Sequence, residues 1–251
     1  MSMPIEILLV VFVFGLVFGS FFNVVAIRTM KKESLQFPPS HCVNCNHSLG
    51  ALDLIPVFSW LFLKGKCRYC KEKISPIYPV VELFTAISYT IVVYKFGFTI
   101  ETLINLVLIT VLMVATSADL KEKWIPDRFV VVGLILVLIL NAIEGDNFVY
   151  VLYSAVIAFG TLVILSILSG GQMGGADITL YALIGLSIGW QDSLASLFYA
   201  AFAASIGYLV YILTLKIRKK KVPSRIEIPF VPFIAMGVLA SYFLPYFDFL
   251  K

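Results

Sequence analysis

The sequence predicts an all-α polytopic membrane protein with about eight transmembrane helices and a small cytoplasmic loop domain after the first helix. Three observations predict this class. Of the 251 residues, 60% are hydrophobic and only 14% are charged, and the mean hydropathy is +0.97, whereas soluble domains carry about 25% charged residues. Apolar stretches long enough to span a bilayer recur along the chain. The basic residues concentrate in three of the breaks between those stretches.

The predicted helices follow the apolar stretches in order. Residues 4–27 form the first, which carries Glu6 and is longer than the apolar core of a cleavable signal peptide, so we expect it to be retained. The other seven are expected at 78–96, 100–118, 129–143, 148–168, 178–190, 193–215 and 228–247. The fourth and sixth helices are short for a bilayer core that about 20 residues span, and seven spans result if 178–215 is divided differently. The sequence shows no internal repeat.

Charge orients the predicted helices. The basic stretches are 28–73, 121–128 and 216–225, which together hold 17 of the 19 Lys and Arg residues. With eight spans all three stretches lie on one face, which the positive-inside rule assigns to the cytoplasm, so the N-terminus is expected outside. The lipid bilayer is the expected partner. Nucleic acid is excluded, because no basic and aromatic binding module is present.

All four cysteines lie in the one long polar stretch, residues 28–77, as two Cys-x-x-Cys pairs: Cys42, Cys45, Cys67 and Cys70. The 21 residues between the pairs slightly exceed zinc-ribbon spacing, but four thiolates suit a tetrahedral zinc site. A reducing cytoplasm argues against disulfides, and a metal would stabilise a loop too short for a large core. A redox dithiol pair, unrelated free thiols, and His41 or His47 as alternative ligands stay open at this point.

The apolar insert between the two cysteine pairs is expected to pack against the membrane surface or neighbouring helices. This expectation applies to Phe58, Trp60 and Leu61, whereas the role of Asp53 within the same insert is left open.

Acidic residues close or open predicted helices on the basic face. Asp119 ends the third apolar stretch and Asp177 opens the sixth, so both are expected at similar depth although they are 58 positions apart in the sequence. Two adjacent carboxyls cannot both ionise cheaply, so one keeps a proton while the other activates water, as in aspartic proteases. Four glycines before Asp177 would let a substrate backbone approach: Gly170, Gly171, Gly174 and Gly175.

Other interpretations of the acidic residues remain open. Asp119 could be a solvated interfacial charge and Asp177 a helix N-cap, or both could line an ion or proton pathway. Asp127 follows Pro126 at a helix start, which favours a capping role. Glu82, at the cytoplasmic start of the second helix, is either a functional intramembrane acid or an interfacial carboxylate paired with a loop Lys or Arg.

Four ordered motifs together resemble the bacterial prepilin peptidases, the type IV leader peptidases of the GxGD membrane aspartyl protease class. GSFFNVVAIR (19–28) is similar to the end of the family's first helix, and residues 38–83 are similar to its tetracysteine loop. DLKEKWIPD (119–127) is similar to its first aspartate motif and GGAD (174–177) to its second. Ala176 departs from the family pattern, which has glycine at that position, and we expect the site to tolerate the added methyl group.

The resemblance implies a membrane aspartic endopeptidase in which Asp119 and Asp177 are catalytic. Its substrates would be type IV prepilins or pseudopilins, cut after a glycine at the cytoplasmic face of the bacterial inner membrane. Many family members also methylate the new N-terminal residue with S-adenosylmethionine, and the tetracysteine loop implies that this chain does so. The resemblance assigns no residue to that cofactor. Gly174, Gly175, Asp127 and Glu82 are expected to support the site.

The resemblance also implies three regions: a first transmembrane helix (1–27), a tetracysteine zinc domain with the N-methylation region (28–77), and an aspartyl peptidase membrane domain (78–251). The main alternative is a transporter or channel with an Asp-lined pathway and a zinc-stapled loop. Acids at helix ends on one face argue against that alternative, because transport sites usually lie near the midplane. A membrane thiol-redox protein is the third hypothesis.

Overall fold

The computed structural model describes residues 3–171, 174–218 and 228–244, and within these ranges the chain is helical with no β-strand. A single 3-10 turn covers Ala51–Asp53. The α-helices are α1 (Ile5–Met30), α2 (Phe58–Phe62), α3 (Ile77–Phe96), α4 (Ile100–Glu122), α5 (Asp127–Glu144), α6 (Phe148–Leu168), α7 (Gly175–Ile217) and α8 (Val231–Ser241). The predicted all-α class is therefore confirmed.

Five of the described helices are long and apolar enough to cross a membrane: α1, α3, α4, α6 and α7. With 43 residues, α7 contains about twice the number of residues that span a bilayer core. Gly189 interrupts it with non-helical dihedrals of φ 80° and ψ 165°, which a residue with a side chain rarely adopts. α7 therefore consists of two helical segments that meet at Gly189, close to the boundary predicted between 178–190 and 193–215. The count of eight spans stays a prediction.

The chain divides into two compact units, Met1–Pro126 and Asp127–Lys251. This division follows packing, whereas the three predicted regions follow function, so the region boundaries stay a prediction. Two predicted features extend beyond the described residues. They are the end of the basic stretch, 219–225, and the end of the last predicted helix, 245–247.

Close packing of α1 against α3 organises the first unit. Gly15 and Gly19 lie one turn apart on α1, a small-xxx-small spacing that lets membrane helices approach closely. A Cβ atom at Gly15 would lie 2.5 Å from Ala86 Cα, and one at Gly19 would lie 2.7 Å from Glu82 Cα. Neither position therefore has room for a side chain, and α1 lies directly against the part of α3 that carries Glu82.

A buried asparagine joins the three long helices of this unit. Asn23 of α1 donates hydrogen bonds to the carbonyls of Gly19 and Tyr78, both at 3.2 Å, and accepts one at 2.8 Å from Ser117 Oγ of α4. Its side chain is 1% exposed. An unsatisfied amide is expensive away from water, so these hydrogen bonds fix the register of α1 against α3 and α4.

In the second unit α7 packs against α5, α6 and α8. A Cβ atom at Gly185 of α7 would lie 2.6 Å from the Ser154 carbonyl oxygen of α6. Asn141 of α5 donates to the carbonyl of Val137 at 2.8 Å and to that of Leu186 at 3.4 Å. Small residues and one buried amide thus hold α7 in the second unit, as Gly19 and Asn23 hold α1 in the first.

The α1–α3 approach yields the first prediction. Replacing Gly19 by Ala should lower the free energy of unfolding by about 1–3 kcal/mol, because the added methyl group overpacks the contact with α3. The matched control is Gly160→Ala in α6, where an added Cβ meets no atom within 4 Å. Thermal unfolding in detergent, followed by tryptophan fluorescence, should show a lower melting temperature for the Gly19 variant alone. Equal melting temperatures would contradict the packing described here.

Candidate functional site

The structure brings the four cysteines of the loop between α1 and α3 into one cluster. All four Sγ atoms lie within 4.8 Å of one another, and those of Cys42 and Cys70 are 3.8 Å apart. None of the four forms a disulfide. Tetrahedral zinc with bonds of about 2.3 Å requires sulfur–sulfur distances of about 3.8 Å. The cluster therefore has the ligand number, ligand type and size of a tetrathiolate metal site.

Each cysteine pair lies in a short turn, and the two turns have the same hydrogen bonds. The Cys42 amide donates to the His47 carbonyl at 3.0 Å, and the Cys67 amide donates to the Glu72 carbonyl at 2.8 Å. Each turn leaves its second cysteine through a left-handed residue, Asn46 at φ 55° or Lys71 at φ 63°. Backbone geometry repeats here although few side chains do.

Backbone amides directed at the sulfurs favour the thiolate form. The amides of Cys45 and Asn44 lower the pKa of the Cys42 thiol to about 6. The amide of Glu72 lowers the pKa of Cys70. Although the His47 amide lowers it, burial and hydrogen bonds to Cys42 and Cys70 raise the pKa of Cys45 to about 11. Without a cation, the crowded sulfurs cannot all lose their protons, so the cluster suits a bound metal ion.

The two histidines lie outside the cysteine cluster. The His47 ring stacks on Tyr69 with centroids 3.6 Å apart, and His41 Nδ1 lies 3.0 Å from the Pro39 carbonyl oxygen. The hypothesis of histidine ligands is therefore not supported. Both rings lie beside the turns that carry the cysteines, and neither ring is a ligand of the metal site.

Asp53, whose role the sequence left open, binds the turn that carries Cys67 and Cys70. Its carboxylate accepts hydrogen bonds from Arg68 Nε at 2.6 Å, the Tyr69 hydroxyl at 3.2 Å and the Gly50 amide at 3.2 Å. The hydrogen bond from Arg68 lowers the pKa of Asp53 and raises that of Arg68. The ion pair joins the insert to the residue that follows Cys67, which indicates a structural role.

The large side chains of the apolar insert lie in two different environments. Trp60 of α2 donates from Nε1 to the Ile74 carbonyl at 3.1 Å and lines a cavity. Phe58 and Leu61 are exposed, at 50% and 56%. Trp60 therefore packs inside the first unit, whereas the placement of the other two side chains at a membrane surface stays a prediction.

A cavity of about 410 Å³ lies between α1, the cysteine loop and the start of α3. Side chains from all three segments line it, among them Ser20, Asn23, Trp60, Tyr78 and Glu82. Its volume is within the range of small-molecule sites. All the residues that form it belong to the first unit.

Glu82 is the buried acid of this cavity, 7% exposed. Its Oε2 accepts a hydrogen bond from the Val57 amide at 2.7 Å, and it also hydrogen-bonds with Ser20. The alternative that Glu82 pairs with a loop Lys or Arg is wrong for the described residues, among which no ion pair to Glu82 is formed and Arg68 pairs with Asp53. The loop contacts Glu82 through the backbone amide of Val57. Because every residue except proline has such an amide, the sequence could not have indicated this contact.

Val57 adopts a strained conformation where it meets Glu82. Its dihedrals are φ 62° and ψ −53°, and the Phe58 amide donates across it to the Pro56 carbonyl at 2.6 Å. This is a γ-turn in a region that β-branched residues rarely occupy. Such strain costs about 1–3 kcal/mol and tends to occur at functional sites. The turn directs the Val57 amide at the Glu82 carboxylate.

Asp119 lies in the last turn of α4 and is 7% exposed, so it is not the solvated interfacial charge considered above. Lys123 caps the end of the helix with left-handed dihedrals of φ 52° and ψ 43°. Two residues after Asp119, the Lys121 Nζ atom lies 4.0 Å from the centroid of the Tyr78 ring, a cation–π contact. A lysine at the end of an apolar stretch ordinarily marks the membrane boundary, so the sequence did not indicate this contact.

Asp177 lies in the first turn of α7, behind the predicted glycines. Gly174 is the N-cap and Gly175 the first helical residue, so Asp177 is not the N-cap considered above. A Cβ atom at Gly174 would lie 3.2 Å from Asp177 Oδ2, and glycine therefore keeps one side of the carboxylate clear. Ala176 is helical, so the substitution of alanine for the family glycine requires no unusual backbone conformation.

Asp127 is the exposed first residue of α5, where a carboxylate favours the positive end of the helix dipole. Asp119 belongs to the first unit, and Asp127 and Asp177 belong to the second. Each carboxylate is described within its own unit, so the pairing of Asp119 with Asp177 stays a prediction.

Comparison with known proteins covers most of the chain. Residues 13–96 match the family described as Bacterial Peptidase A24 N-terminal domain, and residues 106–209 match the Type IV leader peptidase family. The first match contains the cysteine cluster and Glu82, and the second contains Asp119 and Asp177. No solved structure matches the chain significantly.

Curated relatives align over almost their whole lengths. A prepilin leader peptidase/N-methyltransferase of Bacillus subtilis is 31% identical over 93% of this chain and 92% of the relative. One of Stutzerimonas stutzeri is 31% identical over 94% of this chain and 90% of the relative. The type 4 prepilin-like proteins leader peptide-processing enzyme of Escherichia coli O78:H11 is 30% identical over 92% of this chain and 91% of the relative. The resemblance noted in the sequence is confirmed, and the chain belongs to the type IV leader peptidase family.

Proposed function

We propose that this chain is a bifunctional membrane enzyme. It removes the leader peptide of type IV prepilins or pseudopilins and methylates the new N-terminal residue. The observation that carries this proposal is the alignment with prepilin leader peptidase/N-methyltransferases over more than nine-tenths of this chain at about the same share of the relatives. No observation favours the transporter or channel alternative.

Asp119 and Asp177 are the proposed catalytic pair for cleavage. One carboxylate keeps a proton while the other removes a proton from the attacking water, and the protonated acid then donates to the leaving amine. The burial of Asp119 supports this role, because burial makes two negative charges at one site unfavourable. The glycines before Asp177 support it too, because they leave one side of that carboxylate clear for a peptide backbone. Asp127 is the proposed cap or orienting group.

The methyl group for the second reaction would come from S-adenosylmethionine. We place this reaction in the first unit, in the region of the tetracysteine loop. The proposal rests on the relatives' names and on the cavity of about 410 Å³ that the loop helps to enclose. No residue of the chain is assigned to binding that cofactor.

Zinc is the proposed ion of the cysteine cluster, bound by Cys42, Cys45, Cys67 and Cys70. Four thiolates in a tetrahedral arrangement favour zinc, and its role would be structural because no ligand position stays open. The thiol-redox alternative would need only one pair of cysteines, whereas all four sulfur atoms converge on one point.

The proposed location is the bacterial inner membrane. The positive-inside rule supports a cytoplasmic position for the cysteine loop and both aspartates, with the N-terminus outside. The proposed partners are the prepilin or pseudopilin precursors and the lipid bilayer.

The peptidase proposal predicts that both aspartates are needed for cleavage. Asp119→Asn and Asp177→Asn should each lower the cleavage rate of a leader–Gly–Phe–apolar helix precursor by at least about a hundredfold, because each removes one carboxyl of the acid–base pair. Mass spectrometry of the product measures the rate. Asp146→Asn, an exposed acid before α6, is the control and should cleave normally. Normal cleavage by either folded catalytic variant would overturn the assignment.

The zinc proposal predicts about one zinc ion per chain by elemental analysis of the purified protein. Cys42→Ser should lose most of this metal and lower the melting temperature, whereas His47→Ala should keep it, because the histidine lies outside the cluster. Iron in the same site would colour the protein through thiolate-to-iron charge transfer. Visible absorption, or metal loss in the histidine variant, would contradict the proposed ion or the ligand set.

A further inference from the structure

The cavity of the first unit contains a buried acid that the peptidase mechanism does not use. Glu82 lines the cavity and is 7% exposed, although it lies within a helix apolar enough to span a membrane. An acid at such a position is expensive and usually functional.

No ion pair to Glu82 is formed among the described residues, although Lys31 and Lys73 line the same cavity. Arg28, which also lines the cavity, donates to three backbone carbonyls: those of Ser34 at 2.9 Å, Leu35 at 3.1 Å and Pro38 at 2.5 Å. Arg68 is bound to Asp53 at 2.6 Å. Glu82 itself has two polar neighbours, the Val57 amide and Ser20, and neither carries a charge. The cavity therefore offers a carboxylate to a cationic ligand.

The depth of Glu82 matches the position of one group in the proposed reaction. It is the sixth residue of α3, about 8 Å along the helix axis from its start. Leader removal creates an α-amino group at the first residue of an apolar helix. That amine must lie at the membrane boundary, because the rest of the helix is in the bilayer.

We propose that this cavity receives the new amino terminus of the cleaved substrate and that the Glu82 carboxylate binds its α-amino group for methylation. This inference rests on the proposed function and adds to it the residue that recognises the methyl acceptor. The Val57 amide and Ser20 orient the carboxylate, and Trp60 and Tyr78 supply apolar walls for the first side chain of the substrate.

The carboxylate has a defined task in the methyl transfer. The bound α-ammonium group has no lone pair, so it first gives one proton to the Glu82 carboxylate, and the neutral amine that remains is the nucleophile. As the nitrogen bonds to the methyl carbon, the bond from that carbon to the sulfonium sulfur breaks and its electron pair stays on sulfur. Glu82 holds the proton that the nitrogen lost, so charge and atoms balance.

A purely structural role for Glu82 makes a different prediction. The Val57 amide requires only an oxygen acceptor, and glutamine supplies one with nearly the same shape. Glu82→Gln therefore keeps the anchor between loop and helix but removes the negative charge. A residue that only anchors the loop would tolerate this change, whereas a residue that binds an amine would not.

The first measurement follows both reactions on one precursor of the leader–Gly–Phe–apolar helix type with S-adenosylmethionine. Glu82→Gln should release the leader at the wild-type rate and lower methylation by at least about a hundredfold. Mass spectrometry reads both products, because the methylated one is heavier by one methylene group. Glu144→Gln, which removes an exposed acid that does not line the cavity, is the control and should keep both activities. Wild-type methylation by Glu82→Gln would overturn the inference.

The second measurement needs no methyl donor. A fluorescent peptide with the mature N-terminal sequence is bound to the protein in lipid nanodiscs, once with a free α-amine and once N-acetylated. The wild-type protein and Glu144→Gln should prefer the free amine by at least about tenfold, because acetylation removes the cation. Glu82→Gln should bind both peptides equally. An equal preference in the wild-type protein and Glu82→Gln would overturn the inference, whatever the methylation result.

These outcomes separate the inference from the proposed function. Absence of leader removal by the wild-type protein would contradict the peptidase proposal, and the peptide preference would still decide the role of Glu82. Leader removal without methylation would overturn the inference together with the methyltransferase half of the proposal. Both activities in the wild type, with methylation alone lost in Glu82→Gln, would support the inference.

Discussion

The four sulfur atoms hold a loop that has almost no apolar core. Between residues 31 and 76, all of which the structure describes, Cys67 has the only buried side chain. Large apolar residues in the same segment are exposed, as Phe37 at 75% and Phe62 at 83% illustrate. So small a core cannot offset the conformational entropy of about fifty residues, so the cysteine cluster has to supply the missing stability. The walls that the loop contributes to the cavity depend on that cluster.

Local patterns in the sequence predicted the parts of the site that local chemistry determines. Cysteine spacing predicted the cluster, because two Cys-x-x-Cys pairs place ligands within single turns. The end of an apolar stretch predicted the position of Asp119 on a helix terminus. The glycines before Asp177 predicted an open helix start, and the structure has Gly174 as the N-cap. In each case the informative residues are neighbours in the chain.

Long-range contacts were not predictable in the same way. The partner of Glu82 is a backbone amide 25 residues away, and an amide leaves no mark in a sequence. The Gly15 and Gly19 pair is visible as a pattern, but only packing shows that α3 is what it contacts. Packing decided these features.

Asn23 has a consequence that extends beyond helix register. Its side chain borders the cavity of Glu82, and its Oδ1 accepts a hydrogen bond from Ser117, two residues before Asp119. The wall of the proposed methylation cavity and the end of α4, which carries the proposed catalytic Asp119, therefore share one buried amide, that of Asn23. Any displacement of α1 that reshapes the cavity must also stretch the contact that positions the end of α4. The geometry of the Glu82 cavity and the position of Asp119 therefore both depend on Asn23. A substitution that shifts α1 at the cavity would also disturb the end of α4.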